Sequence, residues 1–301
     1  MKKILSTCVA GVLALGASAA SATTYLDGYF NLAAPFNYIE DDSGEVLFRS
    51  DGNGGYDAVT TGAIMVGDIL AGVLDFPGID AATNVETGGD ELSALFLVRV
   101  TSVADAGTAD ANPNTFSYPA VDLTFGAAGT SVWTSVFGAD FLGAAAANLG
   151  LVGSTDAAIA LFFEDDKNNV SLSTQTFAQA VAATVDGIEV GILGLVSPGD
   201  NASATDAPRD VDTFGNAAGG GGVSIIGNFG YVGTFLEGIH TFPVSENGML
   251  GSGTNLVTSY PGFPIQDDTQ GTFVERVPVP APLALMALGL LGLAGATRKN
   301  A

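Results

Sequence analysis

The clearest pattern along the chain is the alternation at 91–103. Leu92, Ala94, Phe96, Val98 and Val100 take one side of an extended backbone, and Ser93, Leu95, Leu97, Arg99 and Thr101 take the other. A period of two predicts a strand, and the apolar residues in the second set predict burial on both faces over part of its length. Shorter runs predict strands at 24–32, 45–49, 63–74, 121–125, 131–137, 157–163, 188–196, 223–226, 229–236 and 238–242. In 188–196, Ile188, Val190, Ile192, Gly194 and Val196 are expected to share one face. Polar or glycine-rich stretches predict turns at 40–44, 51–57 and 75–78 and a loop at 104–119. Two helices are expected. One is 140–149, with Asp140 as N-cap and Gly150 just past its end; the other is 173–185, which places Phe177, Ala180, Val181 and Val185 on one face. From 197 to 222 the composition turns to Pro, Gly, Asp, Asn and Ala, which predicts the longest loop and the best candidate for an internal boundary. No repeat of fixed period is present. Many short strands without regular βαβ alternation predict a mostly β fold, an antiparallel β-sandwich or jelly roll with one or two short inserted helices.

The two ends have a different pattern. Met1, Lys2 and Lys3 form a short positive segment and 4–17 is mostly apolar. Small residues then offer signal-peptidase sites, with Ala22 and Thr23 flanking the favoured cut. Cys8, the one cysteine of the chain, would leave with that segment, so the mature protein would have neither disulfide nor thiolate chemistry. At the other end, Val277, Pro278, Val279, Pro280 and Ala281 lead into an uncharged apolar stretch, followed by Arg298 and Lys299. That stretch is long enough for a membrane-crossing helix, and the basic pair would stay on the cytoplasmic side.

This tripartite tail resembles the PEP-CTERM class of bacterial sorting signals, in the variant reading Val-Pro-x-Pro-Ala, with Val279 standing where the commonest form has Glu. The resemblance implies recognition by an exosortase-type sorting enzyme in the inner membrane of a Gram-negative bacterium. It also implies a final location on the cell surface or in an exopolysaccharide biofilm matrix. The middle region, at 66–74, 91–100 and 161–169, also looks like the ectodomain of some uncharacterised carriers of such tails, which implies no activity. The expected organisation is a signal peptide at 1–22, an acidic β-rich ectodomain at 23–270, a stalk and motif at 271–280, and the membrane helix with its basic tail at 281–301.

Composition narrows the partners. All 32 acidic residues lie between the two terminal segments, against five of the nine basic ones, so this part carries −27 where the whole chain carries −23. Nucleic acid and anionic membrane surfaces are not expected as partners, because both need a cationic face. Exopolysaccharide and divalent cations fit better.

Candidate chemistry is sparse. His240 is the single histidine, so a multi-histidine metal site is impossible. No cofactor is expected apart from Ca2+. Its candidate ligands are Asp51, Asn53 and Asp57 in one loop and Glu164, Asp165 and Asp166 in the other, both rich in oxygen donors but neither with EF-hand spacing. Asp267 and Asp268 form a third acidic pair. The favoured class is a non-catalytic secreted or surface protein. The alternatives are a glycoside hydrolase built on a carboxylate pair and a subunit of a polymeric surface layer or appendage.

Overall fold

The computed structural model describes residues 38–79, 91–112, 116–151, 154–165, 169–196, 199–211, 215–226, 231–242, 263 and 265–275. β1 (Tyr38–Ser50) is followed by the short β2 (Tyr56–Ala58), then β3 (Ile69–Ile79), β4 (Glu91–Asn112) and β5 (Phe116–Gly126). Helices α1 (Thr130–Phe137) and α2 (Phe141–Asn148) precede β6 (Ala158–Asp165), and α3 (Phe177–Thr184) joins β6 to β7 (Ile188–Gly194). β8 (Asn201–Pro208), β9 (Gly215–Ile225), β10 (Tyr231–Phe242) and β11 (Ile265–Glu275) follow. The expected mostly β, antiparallel architecture is present, with three short helices among the described residues.

All eleven strands belong to one sheet, in the order β10-β11-β1-β3-β4-β5-β8-β9-β7-β6, with β2 attached to β1. β4 pairs with β3 through 93–99 along one edge, and along the other with β6 through 91–96 and β5 through 99–112. β9 forks in the same way, with β10 on one edge and β8 then β7 on the other. The hydrogen-bonded path therefore returns on itself. Two strand pairs, β5 with β8 and β6 with β7, bridge the same two long strands, and the first and last of the described strands, β1 and β11, lie side by side.

Strand alternation divides the core in two. Leu47, Leu70, Ala94, Val98, Val100, Leu123, Phe162 and Val223 meet on one side of the sheet. Val46, Ile69, Val73, Leu95, Leu97, Leu161 and Phe163 meet on the other, where Trp133 of α1, Leu142 of α2 and Ala180 of α3 cover them. Burial of both residue sets of β4 agrees with the sequence pattern. Each large side chain removed from water here contributes roughly 1.5–3 kcal/mol.

Several local expectations are corrected. The run 131–137 is helix α1, not a strand: Val132 and Trp133 are buried, Val136 and Phe137 half-buried, and this i, i+1, i+4, i+5 spacing fits one helical face rather than alternation. Residues 40–44 lie inside β1. Gly44 is there because a Cβ would stand 2.5 Å from the Phe263 ring. Residues 63–68 form a turn, and β3 starts later and runs across 75–78. The expected loop at 104–119 is the far end of the β4–β5 hairpin, irregular at three points of its register. The expected loop at 197–222 holds β8 and most of β9, paired to each other and to β5 and β10, so strand pairing is continuous across the candidate boundary. Of its strand glycines, Gly221 is required by crowding, because a Cβ there would stand 2.5 Å from the Asn201 carbonyl oxygen, whereas Gly220 and Gly222 have open space at that position. In β7, Val190 and Ile192 face opposite sides, because the β6–β7 register slips between Phe162 and Phe163. The stretches 24–32 and 229–230 and the tail after 275 lie outside the described residues.

α1 also shows why sequence alone misses such an element. Its N-cap, Gly129, has no side chain, and the cap comes from another part of the chain: Asp156 Oδ1 accepts from the Thr130 amide at 3.3 Å and from its hydroxyl at 2.9 Å. Hydrogen bonding to Ser154 and then to Thr130 holds the Asp156 carboxyl below its ordinary 3.8. A depressed carboxylate contributes stability that is complete above its unfolded value and is lost as pH falls through the folded one. Acid titration of the unfolding midpoint should therefore show a loss beginning near 3.8 and extending below it, and Asp156→Asn should flatten that limb. An unchanged limb in the variant would remove Asp156 as its source.

Candidate functional site

The loop between β1 and β2 is built on Asp51. Its Oδ1 accepts from the amides of Asn53 at 2.7 Å and Gly55 at 2.9 Å, while the Asp51 amide donates to the Gly55 carbonyl at 3.0 Å. The Gly52 amide donates to Ser50 Oγ, Asn53 Nδ2 to the Asp51 carbonyl, and Ser135 of α1 to the Gly54 carbonyl. Asp51 thus turns inward onto its own backbone, as an Asx turn does. Asp57 stands on β2 opposite Arg49, and that guanidinium is committed elsewhere.

The second acidic stretch ends β6. Glu164 pairs in register with Leu92 and Asp165 with Glu91, and neighbouring strand residues project to opposite faces. The strand therefore separates Glu164 from Asp165 rather than converging them. Asp166 lies outside the described residues. Nearby carboxylates are held by amides: Asp186 accepts from Asn169 at 3.2 Å and Glu189 from Asn148 at 3.1 Å. Among the described residues, no three His, Cys, Asp or Glu side chains gather closely enough to hold a metal ion.

Two buried carboxylates escaped the sequence reading. Asp68, 2 % exposed, is gripped by Arg49 in a fork: Nε donates to Oδ1 at 2.8 Å and Nη2 to Oδ2 at 2.7 Å. The Met65 amide donates to the same Oδ2, and Arg49 Nη2 also reaches the Ala63 carbonyl. The hydrogen bond to Asp68 raises the Arg49 pKa further above its ordinary value. Three donors thus converge on the Asp68 carboxylate, one on Oδ1 and two on Oδ2. It latches the turn at 63–68, whose tip exposes Met65 and Val66, and the same turn meets the middle of β4 through the Gly67 amide and Val100 carbonyl. Glu45, 1 % exposed, accepts from Ser43 Oγ at 2.9 Å on the inward face of β1. Strand alternation places it there with Ser43 and Leu47. A local reading treats 40–44 as a polar turn and so hides that face.

Surface acids also serve the backbone. Asp105 accepts from the Gly107 amide and from Arg209, and these two hold its carboxyl below the ordinary value. Asp140 caps α2 through the Gly143 amide, as expected, and Thr176 caps α3 in a capping box with Gln179.

His240 stands in register between Asp267 of β11 and Ala217 of β9. Ala22, Thr23, Val277, Pro278, Val279, Pro280, Ala281, Arg298 and Lys299 lie outside the described residues. No helix among the described residues is long and apolar enough to cross a membrane. Compared with known proteins, the chain matches no family model, no curated protein and no solved structure.

Proposed function

We propose that this is a non-catalytic exported protein, delivered to the cell surface or extracellular matrix by an exosortase-type system and working there as an acidic matrix component. The observation that carries the reading is the pairing of a cleavable apolar N-terminus with the tail Val277-Pro278-Val279-Pro280-Ala281, apolar stretch, Arg298-Lys299. Signal peptidase and the sorting enzyme are its processing partners, the inner membrane holds it transiently, and exopolysaccharide is its matrix partner. The described acids support this reading. Asp51, Asp105, Asp140 and Asp156 are occupied in holding turns and helix ends, a structural use of charge, and the remaining acidic surface favours solubility in a polyanionic, cation-bridged matrix. Two core layers on opposite sides of a path that closes on itself support the finer reading of the fold as sandwich-like.

One observation favours assembly into a polymer instead. Beyond Arg99, no described strand pairs with the β3-side edge of β4. The three register shifts on that stretch and the carboxylate of Asp105 are features that discourage edge pairing, so the matrix reading is kept.

Intact-mass measurement and C-terminal peptide mapping of protein recovered from cells and from their surrounding matrix test the proposal. Matrix material ending within or just after 277–281 is expected. A full-length chain retained in the inner membrane would overturn it.

A further inference from the structure

We propose that Asn53 is a self-modification site, converted in the folded protein to aspartate and isoaspartate through a cyclic imide formed with the amide of Gly54. The reaction needs an asparagine side chain with room to turn, an unhindered following residue and a backbone N–H not held by an acceptor. Asn53 and Gly54 are both exposed, and glycine has no Cβ to shield its nitrogen. Of the amides from 52 to 55, those of Gly52, Asn53 and Gly55 each donate a hydrogen bond: the first to Ser50 Oγ, the other two to Asp51 Oδ1. The Gly54 N–H has no acceptor among the described residues. The Asn53 side chain is held by a single contact of 3.3 Å to the Asp51 carbonyl.

The chemistry balances with water as the co-reactant. The Gly54 nitrogen loses its proton to solvent base and attacks Asn53 Cγ. The tetrahedral centre expels the amide nitrogen as ammonia, and a five-membered imide remains. Water then opens either carbonyl. One opening leaves aspartate; the other leaves isoaspartate, with the former side-chain methylene now part of the main chain.

The fold directs the reaction to this residue. Asp51-Gly52 could form the same ring, but the Gly52 amide is engaged, and Asp51 is a carboxylate whose Oδ1 already accepts two amides. Asn148, Asn169 and Asn201 are followed by Leu149, Val170 and Ala202, whose side chains shield the nitrogen, and each donates a side-chain hydrogen bond. The chain's other Asn-Gly pair, Asn247-Gly248, lies outside the described residues. The product places a second carboxylate two residues from Asp51, and the isoaspartate form lengthens the link between β1 and β2. The hydrogen bond from Ser135 to the Gly54 carbonyl, which ties this loop to α1, would then be lost.

The test is incubation of the purified full chain at mildly alkaline pH in water labelled with heavy oxygen, followed by peptide mapping. Expected is conversion at Asn53 at least about tenfold faster than at Asn148, Asn169 or Asn201, with label in the new carboxyl group and both isomers present. Asn53→Gln, at an exposed position, should keep the unfolding midpoint and lose the conversion. An Asn53 that converts only in denaturant, or no faster than the other three, would overturn the proposal.

Discussion

Replacing Arg49 by methionine is expected to lower the unfolding free energy by about 3 kcal/mol, because it leaves a buried carboxylate without its counter-charge. Asp68 sits at 2 % exposure while its partner is one-third exposed, so water still reaches the guanidinium but not the acid it neutralises. Methionine keeps much of the apolar stem of arginine, and the loss therefore isolates charge and hydrogen bonding rather than packing. Combining it with Asp68→Asn should recover part of the loss, since a buried neutral amide costs less than a buried anion. Trp133, the chain's single tryptophan and 1 % exposed, gives the fluorescence signal for urea unfolding. A loss below about 0.5 kcal/mol, the scale of an exposed ion pair, would show that the latch on the turn at 63–68 is decorative.

Trp133→Ala should cost more, about 3–5 kcal/mol, through the cavity it opens between α1 and the sheet. The indole is the largest of the fully buried side chains, and its ring lies 5.2 Å from that of Phe137, which stacks in turn on Phe177. Its Nε1 is buried without a hydrogen-bond acceptor among the described residues, which already costs stability. Trp133→Phe should accordingly lose less than its reduced volume implies, because the stranded donor goes with the ring. Urea unfolding followed by circular dichroism reads both variants. Equal losses for alanine and phenylalanine would contradict the account of the N–H.

What was legible in the sequence was legible for local reasons. The β4 alternation survives because both faces of that strand are buried, so every position carries a packing signal. Helix α2 was readable from its Asp140 cap, and α3 from its polar start and apolar stripe. Three of the misreadings share one cause: the deciding partner lay elsewhere in the chain. Asp156 caps α1 from the connection between α2 and β6, Phe263 covers Gly44 from more than two hundred residues on, and Asn201 crowds Gly221 from the neighbouring strand. Composition made 197–222 look like a linker, whereas it pairs as β8 and most of β9, with Gly221 permitting close approach to Asn201. Of the candidate calcium ligands, Asp51 and Asn53 lie in a turn as expected, whereas Asp57 stands on β2 and Glu164 and Asp165 on β6. Their geometry was not legible, because sequence does not reveal that Asp51 turns onto its own amides or that strand alternation separates Glu164 from Asp165. The Arg49–Asp68 latch was invisible for the same reason.

The adjacency of β1 and β11 fixes an order of events. β1 precedes β11 by more than two hundred residues, so a chain that has paired only as far as β3 leaves the edge of β1 at 38–45 open until β11 arrives. Such pairings between distant parts of a chain form slowly, and an edge left waiting invites pairing with a neighbouring molecule. A chain that has not yet placed β11 should therefore depend on a holding chaperone more than the finished fold does. Only Arg276 separates Glu275, the end of β11, from Val277. Whatever reads the tail meets a chain whose last strand has already been delivered.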